Sequence, residues 1–175
     1  MTFSEFIQKY EGETVDYDNQ FSGQCVDLYR FYCKEVLVIP QSPPALGAAD
    51  IWESYLKDQL EKVTVPQNGD IILWNKNYGA GYGHVGMYIS GDASGFVSFD
   101  QNFRWDNKCH KENHTYTNVI GYLRKRGASM HDPVRNTYFQ WLSHLIGDGR
   151  PYEQNDQEYE KRLLEIVNKI LTNRK

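Results

Sequence analysis

Residues 68–103, NGDIILWNKNYGAGYGHVGMYISGDASGFVSFDQNF, alternate short apolar runs with clusters of glycine and polar residues. The apolar runs at 71–74, 84–89 and 96–103 are rich in the β-branched and aromatic residues that strands prefer. Each run follows a turn signal that contains glycine, and the last two are close enough in sequence to form a hairpin. We therefore expect these residues to form the centre of an antiparallel sheet.

The residues before this sheet have helical periodicity instead. Apolar side chains recur at helical spacing over residues 3–10, and Thr2 with Glu5 predicts a capping box at the start of that helix. A second apolar stripe runs over residues 25–36 after a polar, acidic loop, and a third short helix is predicted near residues 51–56. The predicted helices thus precede the predicted strands.

A further strand predicted at residues 119–123 completes a domain that we expect to end near residue 127. Helices followed by an antiparallel sheet define the α+β class. The remaining residues contain two more apolar stripes at helical spacing, separated by a break with glycine and proline at residues 147–151. The sequence therefore predicts an α+β domain over residues 1–127 and a helical C-terminal extension over residues 128–175.

The overall composition excludes some classes of protein. At 175 residues the chain has room for one compact domain and an appendage, and its 40% hydrophobic content is enough to build a core. The net charge of −4 and the pI of 5.7 provide no basic field, so nucleic acid and anionic membranes are not expected partners. The N-terminal residues lack a continuous apolar core, so no signal peptide is predicted, and no run is long enough for a transmembrane helix.

The three cysteines, Cys25, Cys33 and Cys109, form an odd set without paired spacing, which favours free thiols over disulfides. Cys25 lies at the predicted start of the second helix, with Ser22 as a candidate N-cap. The free N–H groups and the dipole of a helix N-terminus favour a thiolate, which is the nucleophilic form of cysteine. Cys33 lies one stripe further along the helix, where a buried structural cysteine is the simpler interpretation.

His84 is the histidine best placed to act as a base. It begins an apolar strand directly after a glycine-rich loop, so its ring is expected at the edge of the sheet. Alternation along the next strand puts Asp100 and Asn102 on one face. If the two strands pair, both polar groups come within reach of the imidazole and can fix its tautomer. Taken alone, Asp100 and Asn102 also fit a polar strand end that faces water.

Four short motifs occur in a fixed order. They are Gly23-Gln24-Cys25-Val26-Asp27-Leu28, Gly69-Asp70-Ile71, Gly83-His84-Val85-Gly86 and Asp100-Gln101-Asn102. This set closely resembles the CHAP family of cysteine, histidine-dependent amidohydrolases and peptidases, over about residues 1–127. The resemblance implies a papain-like α+β fold with Cys25 as nucleophile, His84 as general base and later acid, and Asp100 as the group that orients His84.

Two further residues of these motifs receive candidate roles. Asn102 matches the family's asparagine, whereas Asp100 stands where glutamate is common, so its side chain is one methylene shorter. Gln24 is a candidate side-chain donor to an oxyanion.

The implied substrate of such an enzyme is bacterial peptidoglycan, cleaved at amide bonds by an endopeptidase or an N-acetylmuramoyl-L-alanine amidase. The resemblance is to phage endolysins or virion-associated lysins, which implies synthesis in the host cytoplasm and access to the wall after holin release or as part of a virion. The C-terminal helices are candidates for packing, self-association or docking. Two alternatives remain open, an NlpC-type cysteine endopeptidase and a non-catalytic, calcium-dependent wall-recognition protein.

Oxygen donors recur at every second position before the nucleophile, in a pattern that can converge on a hard cation. The candidate ligands are Asp16, Asp18, Gln20, Ser22 and Asp27. The spacing is like that of an EF-hand loop, but Phe21 replaces the required glycine, so we do not predict an EF-hand. Some CHAP lysins of staphylococcal phages hold Ca²⁺ with acidic residues of this stretch, which implies calcium here. A solvated acidic loop is the alternative.

A zinc site formed by Cys109, His110 and His114 is a weaker hypothesis. These residues lie in a polar segment and a fourth ligand is missing.

Overall fold

The computed structural model describes residues 1–40 and 46–126. The predicted domain end at residue 127 and the predicted helices of residues 128–175 lie outside the described residues and stay predictions. Within the described residues, no helix is both long and apolar enough to span a membrane.

Helix α1 covers Phe3–Tyr10 and begins with the predicted capping box. The hydroxyl of Thr2 accepts a hydrogen bond from the backbone N–H of Glu5 at 3.2 Å, and Glu5 accepts one from the backbone of Thr2 at 2.7 Å. These two bonds satisfy two N–H groups that would otherwise lack partners. The helix buries Phe6 and Tyr10.

Helix α2 covers Cys25–Tyr32 and continues into a π-helical turn at Cys33–Leu37. It begins at Cys25 as predicted, but its N-cap is Gln24 and the prediction of Ser22 was wrong. Ser22 has a left-handed backbone conformation, with φ 55°, whereas an N-cap residue is extended. The chain reaches that extended conformation two residues later, at Gln24. The backbone N–H of Gln24 donates to Asp27 at 2.8 Å, which ties the start of the helix to its first turn.

A 3₁₀ turn at Ala48–Asp50 leads into the short helix α3 at Ile51–Ser54, close to the predicted third helix. After it, six strands form within the part of the chain that the structure describes. They are β1 Leu60–Val63, β2 Ile71–Trp74, β3 His84–Gly91, β4 Phe96–Gln101, β5 Cys109–His114 and β6 Val119–Lys125. The order across the sheet is β1-β6-β2-β3-β4-β5, with antiparallel pairing throughout. The α+β class is therefore confirmed, and β1 and β5 are additions to the predicted strands.

The two faces of the sheet carry different clusters. One face packs against α1 and α2 and forms the main core, which includes Phe6, Leu28, Tyr32, Ile71, Leu73, Val85, Met87, Phe99 and Leu123. The opposite face carries a smaller, mainly aromatic cluster of Ile72, Trp74, Tyr88, Phe96 and Tyr122. The strand period of two assigns alternate residues of β2, β3 and β4 to these two clusters. The candidate site lies where α2 meets β3 and β4.

The Gly69-Asp70 motif has a structural role. Asp70 is 4% exposed and accepts two hydrogen bonds from Arg124 of β6, at 2.9 Å from Nε and 2.7 Å from Nη2. The same carboxylate accepts the backbone N–H of Gln67 at 2.7 Å. A bidentate, nearly buried pair of this kind joins the turn before β2 to strand β6.

Removal of this pair should destabilise the fold. Arg124→Ala leaves the buried carboxylate of Asp70 without its counter-charge, and we expect the free energy of unfolding to fall by about 3 kcal/mol. Lys111→Ala is the matched control, because its ion pair with Glu11 is largely exposed and should contribute less than about 1 kcal/mol. Urea unfolding measures both, and equal losses would contradict the structural role.

Candidate active site

The three thiols differ in exposure. Cys25 is partly exposed at the first residue of α2, whereas Cys33 and Cys109 are buried. Burial raises the pKa of Cys33 to about 12 and that of Cys109 to about 12, so both remain thiols. Cys25 is therefore the accessible thiol of this chain, and it lies at a helix N-terminus, where an anion is favoured.

His84 is the first residue of β3, and its cross-strand neighbour on β2 is Trp74. The residue is 4% exposed, and its ring lies among aromatic rings at centroid distances of 5.2 Å from Trp74, 5.8 Å from Tyr78 and 5.8 Å from Phe103. Tyr78 and Phe103 are themselves stacked, with 8° between their planes. This packing restricts the orientation of the imidazole.

Cys25 and His84 interact across the contact between α2 and β3. Burial alone would lower the pKa of His84. The charge of Cys25 acts in the opposite direction, as do contacts with Asp100 and a hydrogen bond to Cys25, and together they raise the pKa of His84 to about 10. A thiol and an imidazole so coupled can exchange a proton and stabilise a thiolate–imidazolium pair.

Asp100 lies on β4 directly opposite Gly86 of β3, so the two strands pair as the sequence analysis required. Its Oδ2 is 3.4 Å from Nε2 of His84, which leaves Nδ1 as the ring nitrogen available to Cys25. A Cβ at position 86 would lie 3.0 Å from Cβ of Asp100 and 3.2 Å from its Oδ2. Glycine at this position therefore gives the carboxylate room beside the histidine.

Asp100 is 1% exposed, and its burial alone would raise the pKa. The hydrogen bond from His114, the close contact with His84 and the charges of both rings outweigh burial and lower the pKa of Asp100 to about 2. The carboxylate is thus an anion at neutral pH, which suits the stabilisation of a protonated His84.

Asn102 contacts a different partner from the one predicted. It follows the end of β4 with φ 63°, so strand alternation no longer applies to it. Its Nδ2 donates to Oε1 of Gln24 at 3.0 Å, and its Oδ1 accepts the backbone N–H of Asn107 at 3.0 Å. The prediction that Asn102 approaches the imidazole beside Asp100 therefore differs from the structure, in which Asn102 orients Gln24.

The oxygen and the nitrogen of the Gln24 side-chain amide both form hydrogen bonds. Besides accepting from Asn102, it donates from Nε2 to the carbonyl oxygen of Phe21 at 2.7 Å. An amide nitrogen carries two hydrogens, so one N–H of Gln24 is left for another acceptor. Gln24, the candidate oxyanion donor, directly precedes Cys25 in the sequence, and Asn102 sets the orientation of its side chain.

Gln101, between Asp100 and Asn102, holds the acidic loop. Its Oε1 accepts the backbone N–H of Val15 at 3.3 Å, and its Nε2 donates to the carbonyl oxygen of Val15 at 2.7 Å. Gly23 lies against the same amide, since a Cβ there would be 2.6 Å from Nε2 of Gln101. The three residues of the Asp-Gln-Asn segment therefore contact three different parts of the site.

His114 is a second histidine on Asp100 that the sequence analysis did not place in this site. Its Nε2 lies 3.0 Å from Oδ2 of Asp100, and Ser98 donates its hydroxyl to the same oxygen at 2.7 Å. His114 ends β5, a strand that the sequence analysis treated as a polar stretch. If Cys109–His114 is read as a strand, alternation places its even-numbered residues, His114 included, on one face of the sheet.

Comparison with known proteins identifies the domain. Residues 16–102 match the family model for the CHAP domain. The chain carries a CHAP domain. The matched residues include the Cys25, His84 and Asp100 cluster and end at Asn102.

Solved structures share the fold of this chain. The endolysin LysIME-EF1 superposes with a TM-score of 0.57 at 25% identity, over 69% of this chain and 61% of that chain. Ly7917 superposes with a TM-score of 0.51 at 17% identity, over 69% and 60% of the two chains, and therefore shares the fold. A second structure of Ly7917, described as containing the hydrolyzing product of MDP, gives a TM-score of 0.51 at 18% identity, with the same coverage. The matched part thus spans about three fifths of each relative.

The CHAP domain also contains an acidic cluster before Cys25. One carboxylate oxygen from each of Asp16, Asp18 and Asp27 lies within 4.8 Å of the others. Burial raises the pKa of Asp27, and the charges of Asp18 and Asp16 raise it further. Arg30 forms an ion pair with Asp18 and offsets part of the negative charge.

The other two predicted metal ligands lie in the same loop. The backbone N–H of Gln20 donates to Asp16 at 3.2 Å and to Asp18 at 3.1 Å, and Ser22 is exposed. The donor set of the three carboxylates suits a hard, oxygen-seeking cation.

The residues of the zinc hypothesis have separate partners. Cys109 bonds to Gln101, while His110 contacts Asp106. His114 contacts Asp100. Within residues 1–40 and 46–126, the acidic cluster is the group whose ligand atoms lie close enough to share an ion.

Proposed function

We propose that this CHAP domain hydrolyses amide bonds in bacterial peptidoglycan, with Cys25 as the nucleophile. The observation that carries the proposal is the accessible thiol at the N-terminus of α2, coupled to a histidine whose other ring nitrogen faces a buried carboxylate. This order of nucleophile, base and orienting acid is the arrangement of covalent acyl-transfer enzymes. The 25% identity with the endolysin LysIME-EF1 supports a wall polymer as substrate.

In the first half of the reaction, the thiolate of Cys25 attacks the carbonyl carbon of the scissile amide. The negative charge that develops on the carbonyl oxygen requires preorganised donors. The backbone N–H of Cys25 is the first of α2, and the first N–H of a helix has no i−4 acceptor within that helix. We assign this N–H and the remaining N–H of Gln24 as the oxyanion donors.

Collapse of the tetrahedral intermediate breaks the C–N bond. Protonated His84 donates its proton to the departing amine and becomes a neutral imidazole. A water molecule then attacks the thioester while His84 removes a proton from the water. Release of the carboxylic acid regenerates the thiolate–imidazolium pair of Cys25 and His84. Asp100 stabilises the protonated ring in the states before and after this cycle.

We assign an accessory role to Asn102 on the basis of its contact with Gln24. Asn102 donates to Oε1 of Gln24, so the amide nitrogen of Gln24 is directed away from Asn102 and towards the carbonyl oxygen of Phe21. Asn102 is thus a positioning residue for the oxyanion donor in this proposal, and Asp100 is the positioning residue for His84.

We further propose that the CHAP domain binds a calcium ion with Asp16, Asp18 and Asp27, to which Gln20 and Ser22 add candidate oxygen ligands. Asp27 is the second residue after Cys25, so a cation at this site would tie the acidic loop to the first turn of the catalytic helix. When bound, the ion supplies charge neutralisation for the three carboxylates. Its role in this proposal is to fix the structure around Cys25.

Chelation should therefore weaken both the fold and the activity. At a calcium concentration of about 100 times Kd, binding would stabilise the folded state by about 2.7 kcal/mol, which corresponds to about 5–10 °C in Tm. We expect EDTA to remove this increment and slow wall lysis, and added Ca²⁺ to restore both. Asp16→Asn should abolish the response, whereas Asp106→Asn, which alters an exposed pair with His110, should retain it. Identical Tm and rate with and without EDTA would exclude the calcium site.

The biological context that we propose is phage lysis, as an endolysin or a virion-associated lysin. The purified protein should clear suspensions of Gram-positive walls, measured as a loss of turbidity. A non-catalytic wall-recognition protein would instead sediment with the walls without any loss of turbidity. Binding without lysis would therefore exclude the hydrolase and favour the recognition protein.

A further inference from the structure

Asp100 is shared between two histidines, and only one of them has a role in the proposed chemistry. Its Oδ2 lies 3.0 Å from Nε2 of His114 and 3.4 Å from Nε2 of His84, and it accepts the hydroxyl of Ser98 at 2.7 Å. The bond to His114 is therefore the shorter of the two histidine contacts. A buried carboxylate needs such donors, because leaving it without them costs free energy.

The ring of His114 is held in one orientation by aromatic contacts. Its side chain is 4% exposed and packs edge-on to Phe103 at 4.4 Å, flat against Phe96 at 5.3 Å, and against Trp74 at 4.9 Å. Apolar neighbours on these sides leave Asp100 as the hydrogen-bond partner that the structure describes for this ring. The ring thus presents Nε2 to the carboxylate in a defined direction.

Strand register makes this contact specific. The residue of β5 directly opposite Asp100 is His110, yet His110 is directed to Asp106 at 2.9 Å and lies partly exposed. His114 is opposite Phe96, four residues before Asp100, and still reaches the carboxylate. The site therefore uses the more distant histidine of the same strand face, and Phe103 and Trp74 both pack against its ring.

We propose that His114 is a positioning residue that holds the carboxylate of Asp100 turned towards His84. This inference rests on the proposed function, because it concerns the histidine that activates Cys25. Burial opposes the ionised form of Asp100, and among the influences that lower the pKa of Asp100 the hydrogen bond from His114 is the largest. His114 therefore acts on the thiol through Asp100 and His84.

Loss of the donor at position 114 has a definite consequence. Without it, Ser98 remains the hydroxyl donor to Oδ2, and the carboxylate is free to turn from His84 towards Ser98. The protonated form of His84 then loses part of its stabilisation, and with it the thiolate of Cys25. The rate at which the Cys25 thiol reacts with an alkylating agent should fall.

The test measures alkylation of Cys25 by iodoacetamide at pH 7, followed by mass spectrometry of the Cys25 peptide in the full-length protein. Cys33 and Cys109 are buried and do not interfere. His114→Leu should slow the reaction about tenfold. His114→Gln should react within about threefold of the parent protein, because the glutamine Nε2–H can occupy the place of the histidine Nε2–H. His110→Leu, on the same strand, is the matched control and should react at the parent rate.

The comparison separates positioning from packing. Equal losses in His114→Leu and His114→Gln, or no loss in a folded His114→Leu, would overturn the proposal. If His114→Leu does not fold, His114→Asn decides, because its amide is one methylene too short to reach Asp100 and it should react about tenfold more slowly than His114→Gln. Equal rates for Asn and Gln would then overturn it.

This readout does not depend on wall lysis. If Cys25→Ala still lysed walls, the proposed function would fail, while the alkylation rates would still show whether His114 controls the Cys25 thiol. If the alkylation rates are equal while Cys25→Ala is inactive, the inference about His114 fails and the proposed function stands.

Discussion

Cys25→Ala is expected to abolish wall lysis while the protein remains folded. The substitution removes the atom that attacks the amide, and losses on removal of a catalytic nucleophile reach about 10⁶-fold. Cys25 is partly exposed and begins α2, so replacement of its thiol by a methyl side chain should cost less than about 1 kcal/mol of stability. Initial rates of turbidity loss and thermal unfolding of the same samples measure the two effects.

Cys33→Ala is the matched control for this experiment. Cys33 belongs to the same helical segment, but it is fully buried in the main core. Its truncation should lower the free energy of unfolding by about 1 kcal/mol and leave the lysis rate nearly unchanged. A Cys25→Ala protein that lyses walls at the parent rate would contradict the nucleophile assignment.

His84→Ala should reduce the lysis rate by at least about 10³-fold. General acid–base catalysis contributes about 10²–10⁴-fold, and the same ring stabilises the attacking thiolate. Asp100 keeps Ser98 and His114 as donors in this variant, so we expect the fold to persist. His110→Ala provides the control, because His110 is partly exposed and contacts Asp106 instead of Asp100. Similar losses in both variants would contradict the role of His84.

The pKa of His84 predicts the pH above which activity is lost. Burial alone would lower the pKa of His84, but the charge of Cys25 and the contacts with Asp100 and Cys25 raise it to about 10. Because the pKa is raised, the protonated ring is present throughout the neutral range and is lost as the pH increases through about 10. The rate should therefore fall over that interval in protein that is still folded, and a fall centred near pH 6.5 would contradict it.

Sequence patterns were sufficient where a single strand or helix determined the position of a residue. The helical stripe placed Cys25 at the start of α2, and alternation in a predicted hairpin placed Asp100 beside the strand of His84. Glycine at position 86 marks the place where the carboxylate lies over β3. These predictions needed only local periodicity and one antiparallel pairing.

Predictions failed where the backbone left regular geometry. Ser22 is not the N-cap because left-handed residues precede Gly23, and Asn102 does not face the imidazole because its φ is positive. Residue propensities do not predict a positive φ at a particular residue other than glycine.

Strand β5 and its His114 were missed for a different reason. Five of its six residues are polar or charged, so composition favoured a loop. Its alternate residues face polar groups of β4, namely Ser98 and Asp100, and this partnership depends on tertiary structure.

The central claim is that the Cys25, His84 and Asp100 cluster hydrolyses an amide bond of the cell wall. Mass spectrometry of fragments released from purified peptidoglycan tests it most directly, because each cleaved bond adds one water and identifies the two ends. We predict new amino groups with matching carboxyl groups, either at the sugar-to-alanine amide or within the peptide, and none with Cys25→Ala. Fragments that instead carry new reducing sugar ends, or amine-bearing fragments that persist in Cys25→Ala, would contradict the account.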